Sequence, residues 1–230
     1  MKKYGEIFGV KKLVIFDIDG TLIDTIDFHA RIYQNVLFEI IKKKPSLQKI
    51  KHCFGRTDYE TAKQVLKLCH FAGDEKLLHK IINLRRKRST QYNRKINLRH
   101  VLPGIRSLLD KLKRDGKILV AISGNNKKSA TAIMRNTKLL PFFSEKVFAD
   151  QKYRGRAITK RHYLLLEAFH RLQKKGHQLS RNSMIVVGDA PNDAAAAQKL
   201  KIDTVLVSTG SHSYATLKAQ KPTFLVKTLK

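Results

Sequence analysis

Three short apolar runs each stop at a polar residue, and this arrangement constrains the fold more than anything else in the chain. Leu13-Val14-Ile15-Phe16 runs into Asp17-Ile18-Asp19-Gly20-Thr21. Ile118-Leu119-Val120-Ala121-Ile122 runs into Ser123-Gly124-Asn125-Asn126. Met184-Ile185-Val186-Val187 runs into Gly188-Asp189. Runs of this length, bounded by turn residues, read as fully buried strands. Between them apolar residues recur at helical spacing: Ile105, Leu108, Leu109 and Leu112, a stretch at 130–135, then Leu165, Ala168, Phe169 and Leu172, and a stretch at 194–200. Val147-Phe148, 204–207 and 224–226 are further strand candidates. The alternation predicts an α/β fold, a parallel sheet covered by helices on both faces.

One region breaks the alternation with helices alone. Phe28, Ile32, Val36, Leu37 and Ile40 form one stripe, broken at 42–45. Ala62, Val65, Leu66 and Cys69 form a second, which Phe71-Ala72-Gly73 ends. Leu77, Leu78, Ile81 and Ile82 form a third. Thr57 or Asp58 is placed to cap the second helix and Asp74 the third. The cluster Arg85-Arg86-Lys87-Arg88 reads as the end of the third helix, where cations are favoured without any ligand. The chain therefore divides into a core over 1–24 and 99–230 and a helical insert over 25–98.

Composition limits the partners. The 230 residues carry a formal net charge of +29, a field that attracts polyanions. Residues 28–100 are denser in positive charge than the rest, yet neither part is neutral. There is no Trp, and the seven Tyr do not read as a stacking platform, so a nucleic-acid partner is not favoured. No run of 18 apolar residues predicts a membrane span. The apolar run at 13–16 ends in an acid, which makes a poor signal peptide. Cys53 and Cys69, without Cys-x-x-Cys spacing, read as two reduced structural thiols of a cytoplasmic protein, monomer or dimer.

Ligand sites in open α/β sheets lie beyond the carboxyl ends of the strands. Asp17, Asp19, Ser123, Asp189 and Asp193 should therefore converge, although far apart in sequence. Carboxylates crowded into one crevice repel, and a divalent cation is the simplest remedy. An oxygen-only site suits Mg²⁺. Asp17 is placed to attack phosphorus and form an acyl phosphate. Asp19 is placed to protonate the leaving group and then to take a proton from water. Ser123 and the turn at Gly124 and Asn125 are candidates for holding a phosphoryl oxygen, as are the turn after Asp17, with Thr21, and a nearby lysine.

The motifs resemble those of the haloacid-dehalogenase-like hydrolases. Phe16-Asp17-Ile18-Asp19-Gly20-Thr21-Leu22 resembles the first motif, Ser123 after its strand the second, and Gly188-Asp189-Ala190-Pro191-Asn192-Asp193 the fourth. The insert between the first and second motifs resembles the helical C1 cap of the phosphoglycolate-phosphatase-like branch, and Gly55-Arg56-Thr57-Asp58 a loop of that cap. The resemblance implies a Rossmann-like core and a Mg²⁺-dependent phosphatase. Asp17 would be nucleophile and metal ligand, and Asp19 the acid/base, with its carbonyl on the metal. Asp189 would be a metal ligand, and Asp193 a ligand through water or the partner of a lysine. Lys160, just before the stripe at 164–172, best fits the lysine of the third motif. The acid at position 19 separates this chain from true dehalogenases and leaves phosphate-ester chemistry. The expected substrate is a small phosphorylated metabolite, with Arg56 a candidate for reading an anionic or polar group on it, and His29, at the start of the cap, either reaching the entrance or facing solvent. Alternatives are a phosphomutase, with Lys49 or His52 moving a proton, a phosphatase acting on nucleic-acid ends, and a nucleic-acid binding module on a hydrolase scaffold.

Overall fold

The computed structural model describes residues 4–71 and 73–230; Ala72, within the predicted helix stop, lies outside the described residues. A short helix α1 (Tyr4–Phe8) leads into β1 (Leu13–Asp17), and four helices follow: α2 (Ile26–Ile41), α3 (Leu47–Lys51), α4 (Asp58–Leu68) and α5 (Glu75–Tyr92). Next come α6 (Ile105–Arg114), β2 (Ile118–Ser123), α7 (Lys127–Asn136), β3 (Glu145–Phe148) and a small hairpin of β4 (Lys152–Tyr153) and β5 (Arg156–Ala157). The chain ends with α8 (Arg161–Lys174), β6 (Met184–Gly188), α9 (Pro191–Lys199), β7 (Asp203–Val207), α10 (Tyr214–Lys218) and β8 (Phe224–Val226).

Six strands form one sheet in the order β3-β2-β1-β6-β7-β8, and every pairing is parallel. The order reverses between β1 and β6, and such a reversal opens a crevice at the carboxyl ends of the strands. Register sets what faces that crevice: Asp17 pairs with Ile122, the residue before Ser123, and Phe16 pairs with Val187, two before Asp189. Side chains alternate across the sheet. Val14 and Phe16 pack with α6 and α7 through Ile105, Leu109, Ile133 and Met134. Leu13 and Ile15 pack with α8 and α9 through Leu164, Leu165, Ala168 and Ala197.

Helices α2 to α5 bury their apolar stripes against one another, with Tyr33, Leu37, Ile50, Val65 and Ile81 in a shared cluster. Thr57 and Asp74 cap α4 and α5, accepting from the backbone N–H of Glu60 and Leu77. Helix α5 runs on to Tyr92, past the basic cluster expected to end it. Arg85 and Ser89 are buried and continue the stripe of Leu78, Ile81 and Ile82, so the helix keeps inward partners for another two turns. Helices α1, α3 and α10 and the hairpin carry too few apolar residues for periodicity to show. Cys53 and Cys69 are free and buried. Among the described residues no helix is long and apolar enough to cross a membrane.

Candidate active site

Asp17, the last residue of β1, lies at the crevice. Asp189 follows β6, and Asp193 lies in the first turn of α9, where its Oδ2 accepts from the backbone N–H of Ala190 at 3.1 Å. One oxygen from each of Asp17, Asp189 and Asp193 lies within 4.8 Å of the other two, and all three residues are buried. The backbone closes tightly around Asp189: a Cβ on Gly210 would stand 1.7 Å from its Oδ2, and one on Gly20 2.6 Å away. Thr21 donates to Asp189 Oδ1 at 2.9 Å, so its hydroxyl orients that carboxylate.

The cation among these carboxylates is Arg161. Its Nη2 pairs with Asp17 Oδ1 at 2.5 Å and Asp193 Oδ1 at 2.6 Å, and its Nε donates to Asp193 Oδ1 at 2.8 Å. This corrects the expectation for Lys160, which is exposed at the N-cap of α8 and lines an outer groove with Arg56, Tyr59 and Lys63. The signal was in the stripe. Arg161 precedes Leu164, Leu165, Ala168 and Leu172 by three, four, seven and eleven residues, which places it on the inward face of α8.

One guanidinium facing three buried carboxylates leaves an excess of negative charge. Burial, then the charges of Asp193 and Asp19, push the Asp17 carboxyl up to about 7 against the pull of Arg161. Burial and its carboxylate neighbours push Asp189 well above the usual range. Protons thus occupy a cluster whose donors are all oxygen, the set a hard divalent cation takes. The three carboxylates fit a divalent-metal site.

Asp19 sits differently. Its Oδ1 accepts from Thr25 Oγ1 at 2.5 Å and lies 2.9 Å from His29 Nε2. Its Oδ2 accepts from Asn125 Nδ2 at 2.7 Å and from Ser123 Oγ at 3.3 Å. Burial alone would raise this carboxyl, but His29, the Thr25 hydroxyl and Arg85 outweigh it and bring it down to about 2. His29 is therefore a buried partner of Asp19, 3% exposed, and not a solvent-facing residue.

Ser123 is fully buried, and its Oγ also accepts from the backbone N–H of Asn125 at 3.0 Å. Gly124 lies against the insert. Its carbonyl accepts from the backbone N–H of Asp58 at 2.8 Å, and a Cβ there would meet the Arg56 carbonyl oxygen at 2.0 Å. The Arg56 guanidinium folds back onto the carbonyls of Cys53, His52 and Phe54 at 2.9, 3.3 and 3.4 Å, so it braces its own loop. Arg56 lines the same cavity as Asp17 and Asp19, and beside it the insert supplies Arg85, a residue absent from the expected site. It is 4% exposed, pairs with Asp58 at 2.7 Å, and lies over the Tyr33 ring at 5.2 Å. Asp17, Asp19, His29, Tyr33, Asp58, Arg85, Asn125 and Arg161 all line one cavity.

The model of the haloacid dehalogenase-like hydrolase family matches residues 14–207. Among curated proteins, the phosphoglycolate phosphatase of Aliivibrio fischeri is 25% identical over 210 residues, 89% of this chain and 83% of that one. The phosphoglycolate phosphatase of Nitrosospira multiformis is 28% identical over 189 residues, 81% of this chain and 78% of its own. Among solved structures, a hydrolase from Pseudomonas syringae superposes with a TM-score of 0.80 at 18% identity, covering 95% of this chain and 94% of that one. A β-phosphoglucomutase from Clostridium difficile superposes at 0.78 and 17% identity, covering 95% and 92%. At these identities the superpositions speak for the fold alone.

Proposed function

The chain belongs to the haloacid dehalogenase-like hydrolase family, and from that premise we propose a Mg²⁺-dependent phosphatase that cleaves a small phosphorylated metabolite through an aspartyl phosphate on Asp17. The observation that carries this reading is the meeting of Asp17, Asp189 and Asp193 within 4.8 Å, with Asp19 lining the same cavity as Asp17. In the first half of the reaction an Asp17 oxygen attacks phosphorus, and the bond from phosphorus to the leaving oxygen breaks. That oxygen takes a proton from Asp19. In the second half water attacks the aspartyl phosphate, its proton passes to Asp19, and the bond between phosphorus and Asp17 breaks. Asp19, ionised, accepts from Thr25, Ser123 and Asn125 and lies against His29, the form the second half requires; the first half starts from its protonated form, with the proton that a monoanionic phosphate ester brings to it. Arg161 keeps Asp17 oriented through the ion pair at Oδ1. Asp17, Asp189 and Asp193 would hold Mg²⁺, Asp193 with part of its capacity given to Arg161; bound there, the ion neutralises charge on the carboxylates and the phosphoryl oxygens.

The insert over 25–98 closes the cavity, and its walls select the leaving group. The cavity is walled by the insert as well as the core, with Tyr33, Asp58 and Arg85 set opposite Asp17 and Asp19, which supports a small monoester such as phosphoglycolate or a small sugar phosphate over a nucleic-acid end. A phosphomutase has less support: Lys49 and His52 are exposed and do not line the cavity.

Phosphate release from a panel of phosphoglycolate, sugar phosphates, nucleotides and end-phosphorylated oligonucleotides, with Mg²⁺ and with chelator, tests the proposal. Release confined to Mg²⁺ and to small monoesters is expected; equal release in chelator or confinement to oligonucleotides would overturn it. Metal binding has its own readout. Protons hold Asp17 below about 7, so Mg²⁺ competes better at higher pH. At a hundredfold excess over its dissociation constant, Mg²⁺ should raise the melting temperature by about 5–10 °C at pH 8 and by clearly less at pH 6. Gly124→Ala tests the closure of the insert: its Cβ displaces the Arg56 carbonyl, and kcat/KM should fall by about 100-fold with the far-ultraviolet circular dichroism unchanged.

A further inference from the structure

The insert reaches one oxygen of the proton-transfer group directly, through Thr25 and His29, and the other through one side chain of the core. Arg85 Nη2, on α5, donates to Asn125 Oδ1 at 2.6 Å, and Asn125 Nδ2 donates to Asp19 Oδ2 at 2.7 Å. The carboxamide has only one workable orientation. A guanidinium requires an acceptor and a carboxylate a donor, so turning the amide over would oppose like poles at both ends. Arg85 is itself fixed from behind: Nη1 donates to Asp58 Oδ1 at 2.7 Å, and Asp58 is further held by Arg86 Nε at 2.8 Å and by the Tyr33 hydroxyl at 3.4 Å. The Asp58 backbone N–H is bonded to the Gly124 carbonyl, next to Asn125. His29, on α2, holds the other oxygen of Asp19 and lies 3.4 Å from Arg85 Nη2. Three helices of the insert therefore converge on Asp19, two of them, α4 and α5, through Asn125.

We propose that Arg85 is a positioning residue that, through the Asn125 carboxamide, sets the orientation of Asp19, so that seating of the insert on the core and placement of the proton-transfer group are one event. The proposal rests on the reading of Asp19 as acid and base. With α5 away from the core, the Asn125 carboxamide loses the donor that fixes its orientation, and Asp19 Oδ2 keeps only the longer bond from Ser123 as a defined one. A linked hydrogen-bonded series in a low-dielectric site transmits such a change more strongly than separate contacts do.

The test uses phenyl phosphate and p-nitrophenyl phosphate, monoesters of similar shape whose leaving groups differ in their need for a proton. The constant kcat/KM reports the step in which the leaving group departs, so the common hydrolysis of the aspartyl phosphate does not mask it. Arg85→Met should lower kcat/KM for phenyl phosphate by about 10–100-fold and for p-nitrophenyl phosphate by less than about threefold. Asp19→Asn should show the same selectivity more strongly. Asn125→Ala breaks the link from the core side and leaves the Arg85–Asp58 pair intact, which keeps the test open if Arg85→Met folds poorly. In the double variant the two losses should not multiply. Equal losses on both monoesters, or losses that multiply, would overturn the proposal. A chain that still turns over after Asp17→Asn would instead remove the parent reading, and this inference with it.

Discussion

Asp17→Asn is expected to abolish Mg²⁺-dependent phosphate release, by about 10⁴-fold or more, with the fold retained. An amide at this position has no anionic oxygen to attack phosphorus and no route to an acyl phosphate. The asparagine keeps the shape of the side chain at the end of a strand buried along its whole length. It loses the ion pair with Arg161, but Arg161 keeps its bonds to Asp193, and the burial and the neighbouring carboxylates that push Asp17 up to about 7 no longer act on a charge. The melting temperature in chelator at pH 8 should therefore stay within a few degrees of wild type, in line with the cost at which active sites hold like charges together. Turnover and melting have to be measured on the same preparation. A variant that keeps more than about 1% of activity would place the nucleophile elsewhere.

The division between what was legible in the sequence and what was not follows from the kind of signal each residue leaves. Asp17, Ser123 and Asp189 end apolar strands, and parallel pairing brings strand ends to one edge, so local pattern and a topological rule together place them. Arg161 and Arg85 leave a different signal, because each is a cation within an apolar stripe. Charge alone assigns such residues to a solvated face or a helix end, which is how Arg85 joins a basic cluster at 85–88 and Lys160 takes the place of Arg161. Extending the stripes by one turn, from Leu164 and Leu165 back to Arg161 and from Ile81 and Ile82 on to Arg85, places both inside. A buried arginine needs a buried carboxylate, and Asp17, Asp193 and Asp58 supply them. Asn125 and Arg56 were candidates from the sequence, but the contacts that they and His29 make were beyond reach for another reason. Their roles depend on how the insert sits on the core, a long-range fact that no local window contains.

The exchange of Lys160 for Arg161 has a large and measurable consequence. Arg161→Met removes the guanidinium that pairs with Asp17 and Asp193 and leaves three buried carboxylates without a cation. Breaking a buried pair from one side costs about 3–5 kcal/mol. In chelator at pH 8 the melting temperature should fall by about 10 °C. The pH dependence has a definite sign. A carboxyl whose folded value is raised binds, in the folded chain, a proton that the unfolded chain has already given up. Stability therefore falls as pH rises from the ordinary carboxyl range, near 3.8, to about 7 for Asp17. Without Arg161, which lowers Asp17 and Asp189 in the wild type, these carboxyls rise further and hold protons to higher pH. The deficit of Arg161→Met should then narrow on acidification from pH 8 to pH 6. Lys160→Ala, an exposed truncation, should change stability by less than about 0.5 kcal/mol at either pH. Thermal denaturation of both variants at the two pH values decides the matter. A larger loss for Lys160→Ala, or a deficit in Arg161→Met that does not narrow, would mean that Arg161 does not neutralise the carboxylate cluster.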